Sequence, residues 1–123
     1  MLPKRAAALA LELGVTFDAV AGALGSFGGV ARRFQFRGEV GGVPFVADYA
    51  HLPGEVAAMI RAAREGGWGR VVAVFQPHGY GPIRVMGNEL AAVFAKHLNR
   101  DDYLILCDPV YFGGTVDKSL GSQ

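Results

Sequence analysis

Cysteine, net charge and long apolar runs are all scarce in this chain, and each scarcity closes off a class of function. Cys107 is the only cysteine among 123 residues. No internal disulfide can form, and a reducing compartment, the cytoplasm, fits. Cys107 itself stands in an apolar run, where a thiol behaves as a small buried hydrophobe. The net charge of +1 gives no electrostatic case for nucleic acid or for an acidic membrane. No basic run interleaved with aromatics is present. The longest apolar stretches are broken by glycine or charge and fall short of the roughly 20 residues a membrane helix needs. Ala6 to Leu13 is apolar but contains Glu12 and offers no clear cleavage site, so no signal peptide is expected there. Three histidines without Cys/His spacing of zinc type assemble no metal site. No G-x-x-x-x-G-K-[ST] phosphate loop and no nucleophile elbow occur. A protein of this sequence that uses ATP must hold the triphosphate outside these residues.

Glycine is plentiful instead. Its 18 copies cluster at positions 25–29, 41–42, 66–67, 79–81 and 113–114, which marks turns and places of close backbone approach. Between the clusters the hydrophobic periodicity is readable. Ala6, Leu9, Ala10 and Leu13 fall at helical spacing, with Gly14 as the stop. Thr16 can cap a second short helix with Phe17, Val20, Ala21 and Leu24 on one face. Phe34, Phe36 and Val40 alternate with Gln35, Arg37 and Glu39, as in a half-exposed strand. Gly41-Gly42 then predicts a tight hairpin turn, and Val43 to Ala47 the returning strand. Pro53 suits the first turn of a helix whose apolar face is Val56, Met59, Ile60 and Ala63. Arg70 to Phe75 reads as a buried strand covered on both faces. Met86 to Leu98 reads as a helix with Leu90, Val93, Phe94 and Leu98 inward, and Tyr103 to Cys107 as another buried strand.

From Ala47 onward the order strand, helix, strand, helix, strand calls for a parallel sheet with right-handed crossovers. The expected fold class is therefore α/β: a Rossmann-like, mostly parallel sheet flanked by helices, with an N-terminal β-hairpin and a short helical segment before it. In open sheets of this type the loops at the carboxyl ends of the strands form the ligand crevice. Three such loops carry chemistry here. The first holds Asp48, Tyr49 and His51; the second Gln76, His78 and Tyr80; the third Asp108 and Tyr111. Asp48 can accept both hydroxyls of a ribose or cap the following turn, and the residue alone favours neither. The guanidinium fork of Arg32 or Arg33 can grip a phosphate, or the two can form a solvated surface pair. His51 and His78 can position a substrate or satisfy loop carbonyls. His97 lies on a helix away from the loops.

Taken together, three segments resemble the C-terminal domain of the Mur ligases, the ATP-dependent amide-forming enzymes of peptidoglycan synthesis. They are Gly28-Gly29-Val30-Ala31-Arg32-Arg33-Phe34, Asp48-Tyr49-Ala50-His51-x-Pro53, and Val74-Phe75-Gln76-Pro77-His78-x-Tyr80. The last is most similar to the branch of that family that adds alanine. The resemblance implies that residues 1–26 are the helical tail of a central ATPase domain plus a linker. Residues 27–123 would then be the amino-acid-binding lid domain, truncated. It implies that Arg33 reaches ATP phosphates and that Asp48 holds the ATP ribose. Tyr49, His51, His78 and Arg84 would lie on the substrate side, near the incoming amino acid. It also implies ATP and Mg2+ as cofactors of the full-length enzyme, bound mainly outside this chain. UDP-N-acetylmuramate and a small amino acid would be its substrates, and the central ATPase domain a partner. No residue of the chain is expected to be catalytic in its own right, and the isolated chain is expected to be inactive.

The chain departs from the family pattern on the substrate side. The alanine-adding branch usually has an arginine directly after the Gln-Pro-His histidine and another three residues further on; those positions are Gly79 and Pro82 here. Leu52 replaces the usual second histidine. The departures leave an alternative open: a non-catalytic or altered-substrate paralogue whose lid serves as a binding or regulatory module.

Overall fold

The computed structural model describes residues 2–110 and Gly113. Tyr111, an expected member of the third loop, lies outside the described residues. The chain divides into two compact units, residues 1–31 and residues 32–123.

The first unit is a helical hairpin, α1 (Leu2–Glu12) and α2 (Phe17–Ser26). The hydroxyl of Thr16 accepts from the N–H of Ala19 at 3.4 Å, the N-cap bond that its position predicts. Val20 is buried. An open apolar groove of about 220 Å³ runs between the helices, lined by residues such as Ala6, Ala10, Ala19 and Ala23. Its lining carries no polar side chain to orient a ligand, so concavity alone does not locate the functional site.

The second unit runs β1 (Gln35–Val40), β2 (Val43–Ala47), α3 (Pro53–Glu65), β3 (Val72–Phe75), α4 (Tyr80–His97), β4 (Tyr103–Leu106). β1 and β2 pair antiparallel around Gly41-Gly42. Both turn residues take positive φ, +59° and +78°, as a two-residue turn matched to strand twist requires. A bulge between Phe36 and Gly38 interrupts the alternation of β1. Phe36 and Val40 remain exposed, so the strand is more open than its half-exposed pattern predicts.

The α/β class, the hairpin and the preceding helices are as the sequence implies, but the sheet is divided. The described strands form two separate pairs, β1–β2 antiparallel and β3–β4 parallel, rather than one sheet continuing from β2. The two-residue turn gives β2 a neighbour at the smallest loop cost, whereas pairing with β3 requires closing a crossover through α3.

The core lies on one side of the parallel pair. Val56 and Ile60 of α3 meet Leu90 and Phe94 of α4, with Phe75 and Leu104 packed against them. Phe75 and Phe94 meet edge to face at 5.4 Å between ring centres. Burying each large side chain in this cluster contributes roughly 2 kcal/mol. Because α3 and α4 share one face, the other stays open: Val74 is 66 % and Tyr103 59 % exposed. The continuous apolar run of β3 therefore does not mark a strand covered on both faces.

α4 also begins six residues before the expected Met86. Gly79, Gly81 and Pro82 read as loop formers, yet Gly81 and Pro82 fall in the first turn of the helix. The N–H groups of that turn have no intrahelical acceptor, so proline is tolerated there.

One carboxylate fastens the far end of this layer. Asp102 accepts from the N–H of Val71 at 2.8 Å and of Asn99 at 2.6 Å, and pairs with Arg64 of α3. Its side chain is 1 % exposed. Burial opposes its ionisation, but the two N–H groups and the Arg64 guanidinium outweigh it and hold Asp102 below the usual carboxylate range.

Candidate functional site

The end of β2 carries the first functional residue. Asp48 follows Ala47 directly, and both its oxygens are engaged. Oδ2 accepts from the N–H of Phe34 at 2.7 Å, and Oδ1 accepts from the N–H of Ala50 at 2.7 Å. The side chain thus turns the chain after β2 and ties that turn to the loop before β1. The capping role is made. A carboxylate has about four lone-pair positions, however, so two bonds leave acceptor capacity toward solvent.

The loop that Asp48 holds is the one carrying Arg33. It is conformationally costly. Arg32 and Phe34 both take positive φ, +58° and +46°, a region that costs side-chain-bearing residues on the order of 1 kcal/mol or more each. Several bonds around it hold it there. Arg32 donates its N–H to Gln35 Oε1 at 3.1 Å and accepts on its carbonyl from the N–H of Tyr49 at 2.8 Å. Arg33, between the two strained residues, extends its guanidinium with Nη1 3.7 Å from Glu55 Oε1.

The loop from Asp48 to Leu52 then leads into α3. Leu52 at the N-cap has no side-chain acceptor, and Glu55 supplies the missing function. Its Oε2 accepts from the N–H of His51 at 3.2 Å and of Leu52 at 3.3 Å, which is the acidic half of a capping box. The same oxygen lies 3.4 Å from His51 Nδ1. The N–H of His51 is the main cause that holds Glu55 below the usual carboxylate range. Desolvation opposes it, while the N–H of Leu52 and the charges of His51 and Arg33 add to it. Glu55 was not among the residues singled out from sequence. An acid three positions past the cap, beside Pro53, is the signal that could have found it.

His51 and His78 come together with Tyr49. Tyr49 and His51 have ring centres 5.3 Å apart, Tyr49 and His78 5.8 Å apart and nearly perpendicular, and the two imidazoles 6.3 Å apart. His51 Nδ1 lies 3.0 Å from the carbonyl of Tyr49. Both neighbours of Nδ1, this carbonyl and Glu55, are acceptors, so the ring proton belongs on Nδ1. In the neutral imidazole this makes Nε2 the acceptor nitrogen.

The third loop closes the group. Gln76 donates through Nε2 to the carbonyl of Asp108 at 3.2 Å, and the N–H of Val110 donates to the carbonyl of Pro77 at 3.1 Å. Hydrogen bonds thus join the loops after β3 and β4, while the loop after β2 meets them through the rings of Tyr49 and His51 against His78, even though β2 belongs to a different strand pair. Arg84 stands in the second turn of α4 and is exposed. His97 is in the last turn of the same helix.

Gly79, where the resemblance leads one to expect arginine, has φ +106° and ψ 168°. Only glycine adopts that region readily. A Cβ there would meet Pro82 Cδ at 3.8 Å and the carbonyl of Val110 at 3.9 Å, which is ordinary contact. Conformation rather than crowding therefore ties this loop to glycine.

Among the described residues no group of three or more His, Cys, Asp or Glu side chains could hold a metal ion. No helix of the described residues is long and apolar enough to cross a membrane. The arrangement offers two adjacent chemistries. One is the Arg33 guanidinium, suited to an anion, on a loop that is tied to Asp48, whose carboxylate keeps acceptor capacity suited to a diol. The other is a cluster of imidazole and phenol rings, suited to a small polar ligand.

The model of the family described as Mur ligase, glutamate ligase domain, matches residues 32–118. The chain is 49 % identical over 107 residues to a UDP-N-acetylmuramate–L-alanine ligase of Anaeromyxobacter sp., covering 87 % of this chain and 22 % of that protein. It is 44 % identical over 109 residues to the enzyme of that name from Brucella anthropi, with 89 % and 22 % covered. For the Gluconobacter oxydans enzyme the identity is 43 % over 116 residues, with 94 % and 24 % covered. The chain thus spans less than a quarter of the length of these curated relatives.

Proposed function

The chain belongs to the Mur ligase family, and from that premise we propose that it is the lid domain of an ATP-dependent ligase of peptidoglycan precursor synthesis. In this reading residues 1–26 are the tail of the central ATPase domain and a linker, and residues 27–123 form the lid. The enzyme joins a small amino acid to the carboxylate of UDP-N-acetylmuramate, in the cytoplasm. The Arg33 loop tied down by Asp48, followed directly by the meeting of the Tyr49, His51 and His78 rings, carries this reading. Identities of 43–49 % to enzymes named for this reaction favour it over a non-catalytic module.

The residues fit the roles assigned to them. Arg33 is exposed and sits on a loop held in one conformation, so little ordering is lost when it meets a phosphate. Asp48 keeps acceptor capacity for the ribose hydroxyls while supporting that loop. The triphosphate and its Mg2+ would be held mainly by the central domain, and the Mg2+ would neutralise phosphate charge during phosphoryl transfer. The substrate carboxylate attacks the terminal phosphorus, and ADP leaves. The amine of the amino acid then attacks the acyl carbon of the resulting acyl phosphate, releasing inorganic phosphate and a proton. His51 orients that amine through Nε2, Tyr49 and His78 enclose it, and Arg84 faces the substrate side. The chain contributes position and electrostatics rather than a covalent step. It acts as a lid that completes the site on closing.

The test is product formation by the full-length protein. UDP-N-acetylmuramate, MgATP and a panel of amino acids should give a UDP-N-acetylmuramoyl-amino acid identified by mass, with one phosphate released per bond. Folded protein that binds nucleotide but joins no amino acid would replace this reading with the non-catalytic paralogue. The preferred amino acid reports what Gly79 and Pro82 changed.

A further inference from the structure

Glu55 has no part in the roles above, yet it touches both sides of the site. Its two oxygens are divided. Oε2 is fixed by two backbone N–H groups of the loop before α3, at 3.2 and 3.3 Å, and by the proximity of His51 Nδ1 at 3.4 Å. The carboxylate is therefore not free to swing away. Oε1 is left facing Arg33 at 3.7 Å. That distance is an ion pair without a tight hydrogen bond. Both side chains are partly exposed, 46 % for Arg33 and 34 % for Glu55, so the hold is weak and exchangeable.

We propose that Glu55 is a positioning residue that acts as an internal anion, parking the Arg33 guanidinium until a polyphosphate displaces it. The inference rests on the reading of Arg33 as a phosphate contact. It follows from geometry. A guanidinium prefers a bidentate oxyanion, and Glu55 presents it with only one loosely placed oxygen. A phosphate group offers several oxygens and more charge. The parked state keeps Arg33 aimed and prevents it from collapsing onto another carboxylate. It also sets a threshold, because arriving phosphate must displace an existing anion and tolerate its charge nearby.

The test is a double-mutant cycle on MgATP affinity in the full-length protein, measured by calorimetry without need of turnover. Glu55→Gln keeps an oxygen that can accept the His51 and Leu52 N–H bonds, so α3 stays capped while the charge is lost. It should tighten MgATP about two- to fivefold, the range that corresponds to an exposed ion pair. In an Arg33→Ala background the same change should gain much less, because the parked partner is gone. Should Glu55→Gln melt early, the same cycle is run at a lower temperature at which circular dichroism shows every variant folded. Arg33→Ala that weakens MgATP while Glu55→Gln leaves it unchanged would overturn the inference alone. An equal gain in both backgrounds would also overturn it, reducing Glu55 to a general negative charge. Arg33→Ala with unchanged affinity would instead sink the phosphate reading beneath it, and the inference with it.

Discussion

Replacing Asp48 by alanine should destabilise the second unit by about 2 kcal/mol. Two charge-assisted hydrogen bonds are lost, to Phe34 and Ala50, each made at 2.7 Å. Bonds to charged groups contribute about 1.5–3 kcal/mol each, which gives an upper sum near 6. Two effects reduce it. The Phe34 bond is exposed, so its N–H regains water when the acceptor is removed. The loop also relaxes, because Arg32 and Phe34 no longer have to hold positive φ, which returns on the order of 1 kcal/mol for each residue that relaxes. The assay is urea unfolding of the chain followed by circular dichroism. With a slope near 2 kcal/mol per molar, the midpoint should fall by about 1 M. Asp48→Asn should lose most of the same stability, because its amide nitrogen must face one of the two donors. Stability within about 0.5 kcal/mol of the parent for Asp48→Ala would refute the claim that this carboxylate holds the Arg33 loop. Any nucleotide phenotype of Asp48 has to be read after this structural cost is removed.

Other consequences are equally direct. Asp102→Asn should cost about 3 kcal/mol, because it leaves Arg64 and a set of backbone donors around a neutral side chain in a buried place. Since the carboxyl of Asp102 is held below its ordinary value, its stabilisation is present above the unfolded value near 4. It is lost as pH falls through the folded one, so the parent should lose stability below pH 4 and Asp102→Asn should lose less over that window in acid titrations of thermal melts. Phe94→Ala, in the shared core, should cost about 3–5 kcal/mol, whereas Val74→Thr, on the open face of β3, should stay within about 0.5 kcal/mol; similar losses in denaturant melts would mean that the open face is covered. Gly79→Ala should cost about 1–3 kcal/mol from its backbone conformation rather than from crowding, and a neutral result would show that this loop adopts another conformation in solution.

The sequence made the order of elements legible because each signal was local. Periodicity marks α3, a continuous apolar run marks β3, Gly41-Gly42 marks the hairpin, and Thr16 marks a cap. The pairing of strands was not legible. Whether β2 joins β3 depends on which edges meet after two helices pack, and nothing within Val43 to Ala47 encodes that. The start of α4 was hidden because Gly81 and Pro82 break helices only beyond the first turn. In the sequence Asp48 is compatible with both capping and ligand binding, since one carboxylate has acceptors enough for both. The loop geometry now shows the capping bonds made. The convergence of Tyr49, His51 and His78 follows from their strand-end positions, and the three rings meet at centroid distances of 5.3–6.3 Å. Glu55 escaped notice because an acid in a first helical turn usually does nothing beyond capping.

The central claim is that one rim of this domain serves nucleotide at Arg33 and Asp48 and amino acid at the three rings. On the proposed ligase activity, steady-state constants of a His78→Ala variant of the full-length protein test it most directly. Loss of one positioning contact is worth roughly a factor of ten. The account predicts that KM for the amino acid rises by about that factor while KM for ATP stays within about twofold. A parallel rise in both constants, or a rise for ATP alone, would contradict the division of the rim.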